Sequence, residues 1–251
     1  AIYLSLIILL TVYFGRNLPD LHQLERIRPK LATTIYSVDN QVLKRIAEQK
    51  RYLIPYDRIP PQLIDAAIST EDRRFWDHSG FDSLGIIRAI LVDLKAMSRI
   101  QGASTLTQQL SRNLFLNSDI NWNRKIREAL TAIMIERKYS KREILEMYFN
   151  QVYFGHGAWG VQAAAQTYFS KNVDELTLAE CSLLVGMLKA PNNYSPLLFP
   201  ERAIRRRNIV LDAMVSFGKL SREKAEDAEK ERLNLHPNLG ELGLAPYFIE
   251  Y

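Results

Sequence analysis

The chain has 251 residues, of which 47% are hydrophobic and 24% are charged. This balance excludes a disordered or low-complexity protein, because enough apolar side chains are present to form a core. A single cysteine, Cys181, excludes a disulfide scaffold, and the four histidines lack the spacing of common zinc motifs. Lysine and arginine exceed aspartate and glutamate by five, which favours an anionic partner such as a phosphate, a lipid head group or a nucleic acid.

The first 15 residues are uncharged and mostly apolar, and Arg16 is the first charged residue. As a helix this run would be about 22 Å long, against roughly 30 Å of hydrocarbon in a bilayer. We interpret residues 1–15 as the C-terminal part of a transmembrane anchor helix. A signal peptide is the alternative, although no small-residue cleavage site follows the run.

Residues 16–60 are expected to form a linker and a small β-hairpin, because β-prone runs at 33–37 and 41–48 flank a turn at 38–40. From Pro61 onward the apolar periodicity is helical. It predicts helices near 61–76, 82–98, 104–116, 122–138, 141–150, 160–169, 177–187, 201–217 and 221–231. The absence of βαβ alternation and of a GxGxxG loop argues against a doubly wound nucleotide-binding fold. The sequence thus predicts a mainly α domain over 61–235.

Glu71 lies on the apolar stripe of the first predicted helix, which is formed by Leu63, Ile64, Ala67, Ile68 and Phe75. A carboxylate on such a face is costly unless it is paired. Two interpretations follow, a catalytic general base and a structural glutamate paired with an arginine. The stripe alone does not decide between them.

Glu128 belongs to the predicted helix 122–138, whose apolar residues place it with Arg124 on the opposite, solvent-facing side. Its spacing from Arg124 and Lys125 makes a surface ion pair the default interpretation. However, the stretch between Ser111 and Arg142 contains eight basic and three acidic residues. Such a concentration indicates an anion site, for which phosphate fits better than carboxylate beside a membrane anchor.

The segment between the two glutamates, residues 102–109, predicts a helix N-terminus. Thr105 and Gln108 have the spacing of a capping box. A helix N-terminus also binds phosphate oxygens through its N–H groups. Capping explains the Ser and Thr of this segment, but not two consecutive glutamines, Gln108 and Gln109.

Residues 71–80, Glu-Asp-Arg-Arg-Phe-Trp-Asp-His-Ser-Gly, resemble the EDxxFxxHxG motif of peptidoglycan glycosyltransferases, the lysozyme-like domains of class A penicillin-binding proteins. The other family motifs follow in order: GxSTxTQQ at 102–109, RKxxE at 124–128, KxxILxxYxN at 141–150 and RRNxVL at 206–211. The resemblance covers residues 33–251 and implies a two-lobed, lysozyme-like helical fold. One departure is Arg112, where many members carry lysine.

The resemblance implies a reaction on lipid II. Glu71 matches the family's catalytic base, which deprotonates the 4-hydroxyl of the acceptor GlcNAc. That oxygen attacks C1 of the donor MurNAc, inverts it from α to β and expels undecaprenyl pyrophosphate. Glu128 matches a second essential glutamate, which acts on the leaving-group side, positions a cation, or orients neighbouring basic residues. Candidates for binding the pyrophosphate and the sugars are Ser104, Thr105, Gln108, Gln109, Arg112, Arg124 and Lys125.

Further residues match family motifs, and we expect them to support the fold or line the cleft: Asp72, Phe75, His78, Gly102, Tyr148, Asn150, Arg206 and Arg207. His78 is expected to fix the loop after Glu71, and the two arginines to hold helices together. No organic cofactor is expected. Mg²⁺ or Mn²⁺ at the pyrophosphate, near Glu128, is an expectation drawn from some family members.

The expected partners are lipid II, the growing glycan chain, moenomycin-type inhibitors, and other cell-wall synthesis and division or elongation proteins. The expected location is the outer face of the bacterial cytoplasmic membrane, with a single-pass anchor. Nucleic acid is not expected, because the basic residues cluster around one glutamate. Residues 236–251 resemble the start of a linker toward a transpeptidase domain, which predicts a longer, bifunctional protein. The alternative is a lysozyme-like hydrolase or lytic transglycosylase acting on finished glycan.

Overall fold

The computed structural model describes residues 33–37, 39, 42–46, 50–82, 104–115 and 122–237. In these ranges the chain forms eight α-helices, four short strands and two 3-10 turns, Tyr56–Arg58 and Val173–Glu175. The helices are α1 (Pro61–Glu71), α2 (Leu106–Phe115), α3 (Trp122–Lys138), α4 (Lys141–Gln151), α5 (Val161–Phe169), α6 (Leu178–Met187), α7 (Pro200–Ser216) and α8 (Arg222–Lys230). The predicted mainly α fold is confirmed.

The strands form two small pairs. β1 (Thr33–Tyr36) and β2 (Val42–Ile46) are antiparallel, with Thr33 opposite Ile46, and confirm the predicted hairpin. β3 (Lys50–Arg51) runs parallel to β4 (Ala158–Trp159). This second pair was not predicted, because strands of two residues carry no detectable alternation.

Most predicted helices agree with the structure to within two residues at each end, but the first predicted helix, 61–76, is too long. α1 ends at Glu71, and Asp72 adopts φ −153° and ψ 73°, outside the helical region. Phe75 is fully buried, yet it lies in the turn that follows the helix. The helical spacing of apolar residues continues past Glu71 in the sequence because the turn also buries the aromatic ring of Phe75.

The described residues divide into two compact units. The first comprises the described parts of 74–144, and the second comprises those of 33–73 together with 145–237. In the second unit α7 and α1 both pack against α6. Every residue of α6 from Ala179 to Met187 is buried, as its nearly continuous apolar sequence predicts for a central helix.

The first unit is organised by the packing of α2 against α3. Its loop before α2 approaches α3 closely at Gly80, which has φ +90°. A Cβ atom there would lie 2.8 Å from the backbone of Ala132. Only glycine satisfies both the backbone angle and the close approach.

In the part of the chain that the structure describes, no helix combines the length and apolar character required to cross a bilayer. The predicted anchor at 1–15, Gly102, nearly all of the predicted helix 82–98, and residues 238–251 lie outside the described residues.

Candidate functional site

Glu71 is the last residue of α1. Leu63, Ile64, Ala67 and Ile68 bury the preceding turns of this helix, so the position of its end is fixed by the core of the second unit. The Glu71 side chain is 17% exposed, and its Oε1 lies 3.6 Å from Nη2 of Arg206. At that length the contact is an ion pair rather than a close hydrogen bond. An arginine partner is what the structural interpretation of Glu71 expected, but the sequence did not identify Arg206 as that partner.

Glu128 is buried, contrary to the predicted solvent-facing position. Its side chain is 1% exposed, whereas Ile126, on the predicted buried face, is 38% exposed. The buried row of α3 is instead Glu128, Thr131, Ala132 and Ile135, which have helical i, i+3, i+4 and i+7 spacing. The apolar stripe was misleading because this helix buries a carboxylate that contacts two cations.

Two cations offset the burial of Glu128. Lys125 Nζ donates to Oε2 at 2.7 Å, and Arg124 Nε lies 3.3 Å from Oε1. Lys125 Nζ also donates to Ser104 Oγ at 2.7 Å. The exposed fraction is 45% for the Lys125 side chain and 17% for that of Arg124. Four predicted site residues are therefore brought together: Ser104, Arg124, Lys125 and Glu128. The Lys125 ammonium contacts Ser104 and Glu128, while part of its side chain is exposed to solvent.

The predicted capping box at the start of α2 is confirmed. Thr105 N–H donates to Gln108 Oε1 at 2.9 Å, and Gln108 N–H donates to Thr105 Oγ1 at 3.1 Å. The expectation that capping leaves Gln108 unexplained is wrong, because its buried side chain closes this box. Gln109 and Arg112, also on α2, are both partly exposed.

The loop after Glu71 is fixed to the start of α2. The His78 ring Nδ1 accepts a hydrogen bond from Gly80 N–H at 3.1 Å. Thr105 Oγ1 donates to the Gly80 carbonyl oxygen at 3.0 Å. His78 is buried, and these contacts give it the loop-fixing position expected from the sequence.

Glu136, which sequence reasoning missed, is the centre of a buried network in the first unit. Its side chain is 4% exposed, and Oε1 accepts hydrogen bonds from Thr107 Oγ1 at 2.6 Å and Lys141 Nζ at 2.8 Å. Lys141 Nζ also donates to the His78 carbonyl at 2.6 Å and lies 4.4 Å from the Phe75 ring centroid. Glu136 is two i+4 steps beyond Glu128 on α3 and shares its face, so the pattern that placed Glu128 on the solvent-facing side also hid Glu136.

We expect Glu136→Gln to lower the free energy of unfolding by about 1–3 kcal/mol, because the substitution removes the charge of an acceptor that serves the buried Thr107 hydroxyl and the partly exposed Lys141 ammonium. Thermal or urea unfolding measures the change. Glu226→Gln, on the exposed surface of α8, is the matched control and should shift stability by less than about 0.5 kcal/mol. Equal stabilities for the two variants would contradict the network.

The remaining predicted residues are placed in the second unit. Asn150 accepts from Ile54 N–H at 3.0 Å and donates to the Ile54 carbonyl at 2.8 Å. Tyr148 is fully buried, and Asp72 is 5% exposed. Arg207, buried on α7, donates to the carbonyls of Glu229 and Glu231 at 2.6 and 2.7 Å. It therefore holds α7 to the C-terminal end of α8, in line with the expectation for this arginine.

The described residues do not fit a metal ion held by the protein at Glu128. Both of its oxygens face cations of the chain. Among these residues no group of three His, Cys, Asp or Glu side chains is placed to bind a metal. A Mg²⁺ or Mn²⁺ ion at the pyrophosphate remains a prediction, and substrate oxygens would have to supply most of its ligands.

Comparison with known proteins decides the family. The Transglycosylase family model matches residues 39–215. The chain belongs to the transglycosylase family. This membership confirms the resemblance found in the motifs and the predicted class of enzyme, a glycosyltransferase.

The chain matches only part of each of its longer relatives. Penicillin-binding protein 1A of Aquifex aeolicus is 42% identical over 250 residues, which cover 100% of this chain and 34% of that protein. Penicillin-binding protein 1A of Escherichia coli is 42% identical over 239 residues, covering 95% and 28%. The crystal structure of penicillin-binding protein 1A from Haemophilus influenzae matches with a TM-score of 0.51 and 27% identity, over 83% of this chain and 22% of that one. The chain spans about a third of the length of the curated relatives it matches.

Proposed function

We propose that this transglycosylase polymerises lipid II into β-1,4-linked glycan strands of bacterial peptidoglycan, with inversion at C1 and release of undecaprenyl pyrophosphate. The observation that carries the proposal is the group formed by Lys125, Glu128, Arg124 and Ser104. A carboxylate that is 1% exposed holds two cations in place. Such a fixed pair of positive charges suits a pyrophosphate leaving group.

The geometry of Lys125 supports this role. An ammonium group has three protons, and within the described residues two of them are directed to Glu128 and Ser104. The third is available to a phosphate oxygen on the exposed side of the lysine. The N-terminus of α2, next to Ser104 in the chain, adds the positive end of a helix dipole. Neutralising the developing charge on pyrophosphate lets it depart without a proton.

Glu71 is proposed to act at the other end of the reaction as the general base. Its carboxylate takes the proton from the 4-hydroxyl of the acceptor GlcNAc as the oxygen forms the bond to C1 of the donor. The bond between C1 and the pyrophosphate oxygen breaks in the same displacement, with the electron pair leaving on the pyrophosphate. One carboxylate and a set of fixed cations are sufficient for this chemistry.

A hydrolase or lytic transglycosylase acting on finished glycan would also use a glutamate, but it has no leaving group that needs the Lys125 and Arg124 pair. Incubation with labelled lipid II and, separately, with isolated cell walls distinguishes the two functions. The proposal predicts glycan polymer from lipid II. Release of soluble fragments from the walls, without polymer, would support the hydrolase.

We expect Lys125→Ala and Arg112→Ala each to weaken binding of a moenomycin-type phosphoglycolipid by about tenfold or more, because each substitution removes a cation from the donor side. The loss should be larger at low ionic strength, where screening is weaker. Fluorescence anisotropy with a labelled inhibitor measures it. Arg137→Ala, exposed on the last turn of α3, is the control. Unchanged affinity in both test variants would place the pyrophosphate elsewhere.

We also propose that the chain works at the outer face of the bacterial cytoplasmic membrane, alongside other cell-wall synthesis proteins, as part of a longer protein with a D,D-transpeptidase. The name of its relatives, penicillin-binding protein 1A, supports the penicillin-binding part of this proposal. A fluorescent penicillin should label the full-length protein and leave residues 1–251 unlabelled. Labelling of residues 1–251 would contradict the assignment.

A further inference from the structure

Arg206 makes a contact that its expected role as a helix-packing residue does not explain. It lies on α7, and its Nη2 approaches Oε1 of Glu71, at the end of α1, to 3.6 Å. The exposed fractions of the two side chains are 12% and 17%. The pair is therefore largely shielded from water. An ionic contact is stronger in such an environment than on the open surface.

The guanidinium of Arg206 is held from two further directions. Its Nε donates to the carbonyl oxygen of Gly186 at 3.3 Å, and its central carbon lies 5.9 Å from the ring centroid of Tyr194. A Cβ atom at position 186 would lie 3.0 Å from Arg206 Cγ. The absence of a side chain at Gly186 thus leaves room for the arginine.

The neighbouring arginine provides a contrast on the same helix. Arg205 also forms an ion pair at 3.6 Å, with Glu201 one turn earlier, but the two side chains are 66% and 86% exposed. Exposed pairs of this kind contribute little to structure. Both arginines form an ion pair. Arg206 differs from Arg205 in that its ion pair is shielded from water and its guanidinium makes additional contacts.

We propose that Arg206 is a positioning residue that fixes the orientation of the Glu71 carboxylate for proton abstraction. This inference rests on the proposed function of Glu71 as general base. A planar guanidinium anchored through Nε can hold a carboxylate oxygen in a defined direction, which a flexible ammonium does less well. Displacement of a reacting group by about 1 Å can reduce the rate by about 100-fold.

The test compares Arg206→Gln, Arg206→Lys and the control Arg205→Gln in a lipid II polymerisation assay. We expect Arg206→Gln to lower kcat by about 100-fold, with KM within about threefold of the wild-type value. Arg206→Lys should recover part of that loss, because it restores the charge without the planar group. Arg205→Gln should behave like the wild type.

Folding is checked for each variant by its thermal midpoint and by alkylation of Cys181. This thiol is fully buried, and burial raises its pKa, so it should react only when the second unit opens. A residue that only supports the fold would lower the thermal midpoint and leave kcat per folded molecule unchanged. A double-mutant cycle of Glu71→Gln and Arg206→Gln on the free energy of unfolding should show coupling between the two positions.

Normal kcat in folded Arg206→Gln, together with an inactive Glu71→Gln, overturns this inference and leaves the proposed function intact. If Arg206→Gln does not fold, a kcat of Arg206→Lys equal to the wild-type value overturns it in the same way. Normal activity of Glu71→Gln overturns the proposed function, and this inference with it. The double-mutant cycle is measured by unfolding and does not depend on activity. If the effects of Glu71→Gln and Arg206→Gln on the free energy of unfolding are additive, the two side chains do not interact and this inference is overturned.

Discussion

Glu71→Gln is expected to reduce the rate of lipid II polymerisation by about 1,000-fold or more. Glutamine keeps the size of the side chain and a hydrogen-bonding oxygen, but it cannot accept a proton at neutral pH. General-base catalysis typically contributes about 100- to 10,000-fold. Gel separation of glycan polymerised from labelled lipid II measures the rate. Glu71→Gln also removes the largely shielded ion pair with Arg206, so a modest fall in the thermal midpoint is expected and the rate is compared per folded molecule.

The matched control is Glu201→Gln, a highly exposed glutamate in the first turn of α7. It should polymerise lipid II at the wild-type rate. Cys181 alkylation reports whether the second unit of each variant is folded. A rate for folded Glu71→Gln within about tenfold of the wild type would exclude this carboxylate as the base.

Glu128→Gln is expected to have the second largest effect, with a loss of about 100-fold or more in donor use. The charge of Glu128 holds Lys125 and Arg124 at 2.7 and 3.3 Å, so a neutral side chain leaves both cations without a fixed direction. The free energy of unfolding should fall by about 1–3 kcal/mol, since the charge-assisted hydrogen bond from Lys125 is weakened and the ion pair with Arg124 is lost. Unfolding experiments and binding of a labelled moenomycin-type inhibitor measure the two effects.

The control for Glu128→Gln is Glu136→Gln, which removes a different buried charge from the same helix. If Glu128 acts by holding the cations, its substitution should weaken inhibitor binding more than Glu136→Gln does at a comparable loss of stability. Inhibitor affinity equal to that of the wild type in Glu128→Gln would contradict the assignment of this group to the pyrophosphate.

Local sequence signals predicted the helices well. The Thr105 and Gln108 capping box and the hairpin of β1 and β2 were found where the sequence placed them. These features depend on residues a few positions apart, so propensity and spacing are sufficient to define them. The same signals placed the end of α1 five residues too late, at 76 instead of Glu71. The fully buried Phe75 continues the helical pattern from within a turn.

The contacts around the candidate site could not be predicted, because they join residues far apart in the chain. Glu71 and its partner Arg206 are separated by 135 positions in the sequence, and Thr107 and Glu136 by 29. Nothing in the local spacing of either residue marks its partner. Glu128 shows a second reason: periodicity assumes that buried faces are apolar, and α3 buries a carboxylate by pairing it with Lys125 and Arg124.

The most direct test of the proposed reaction is the configuration and stoichiometry of the product that the chain forms from lipid II. NMR of the new glycosidic bond, together with chromatography of the released lipid, measures both in one reaction. The account predicts β-linked bonds from MurNAc C1 to GlcNAc O4, and one undecaprenyl pyrophosphate released for each bond formed. Bonds of retained α configuration, or release of the lipid with only hydrolysed disaccharide and no polymer, would contradict it.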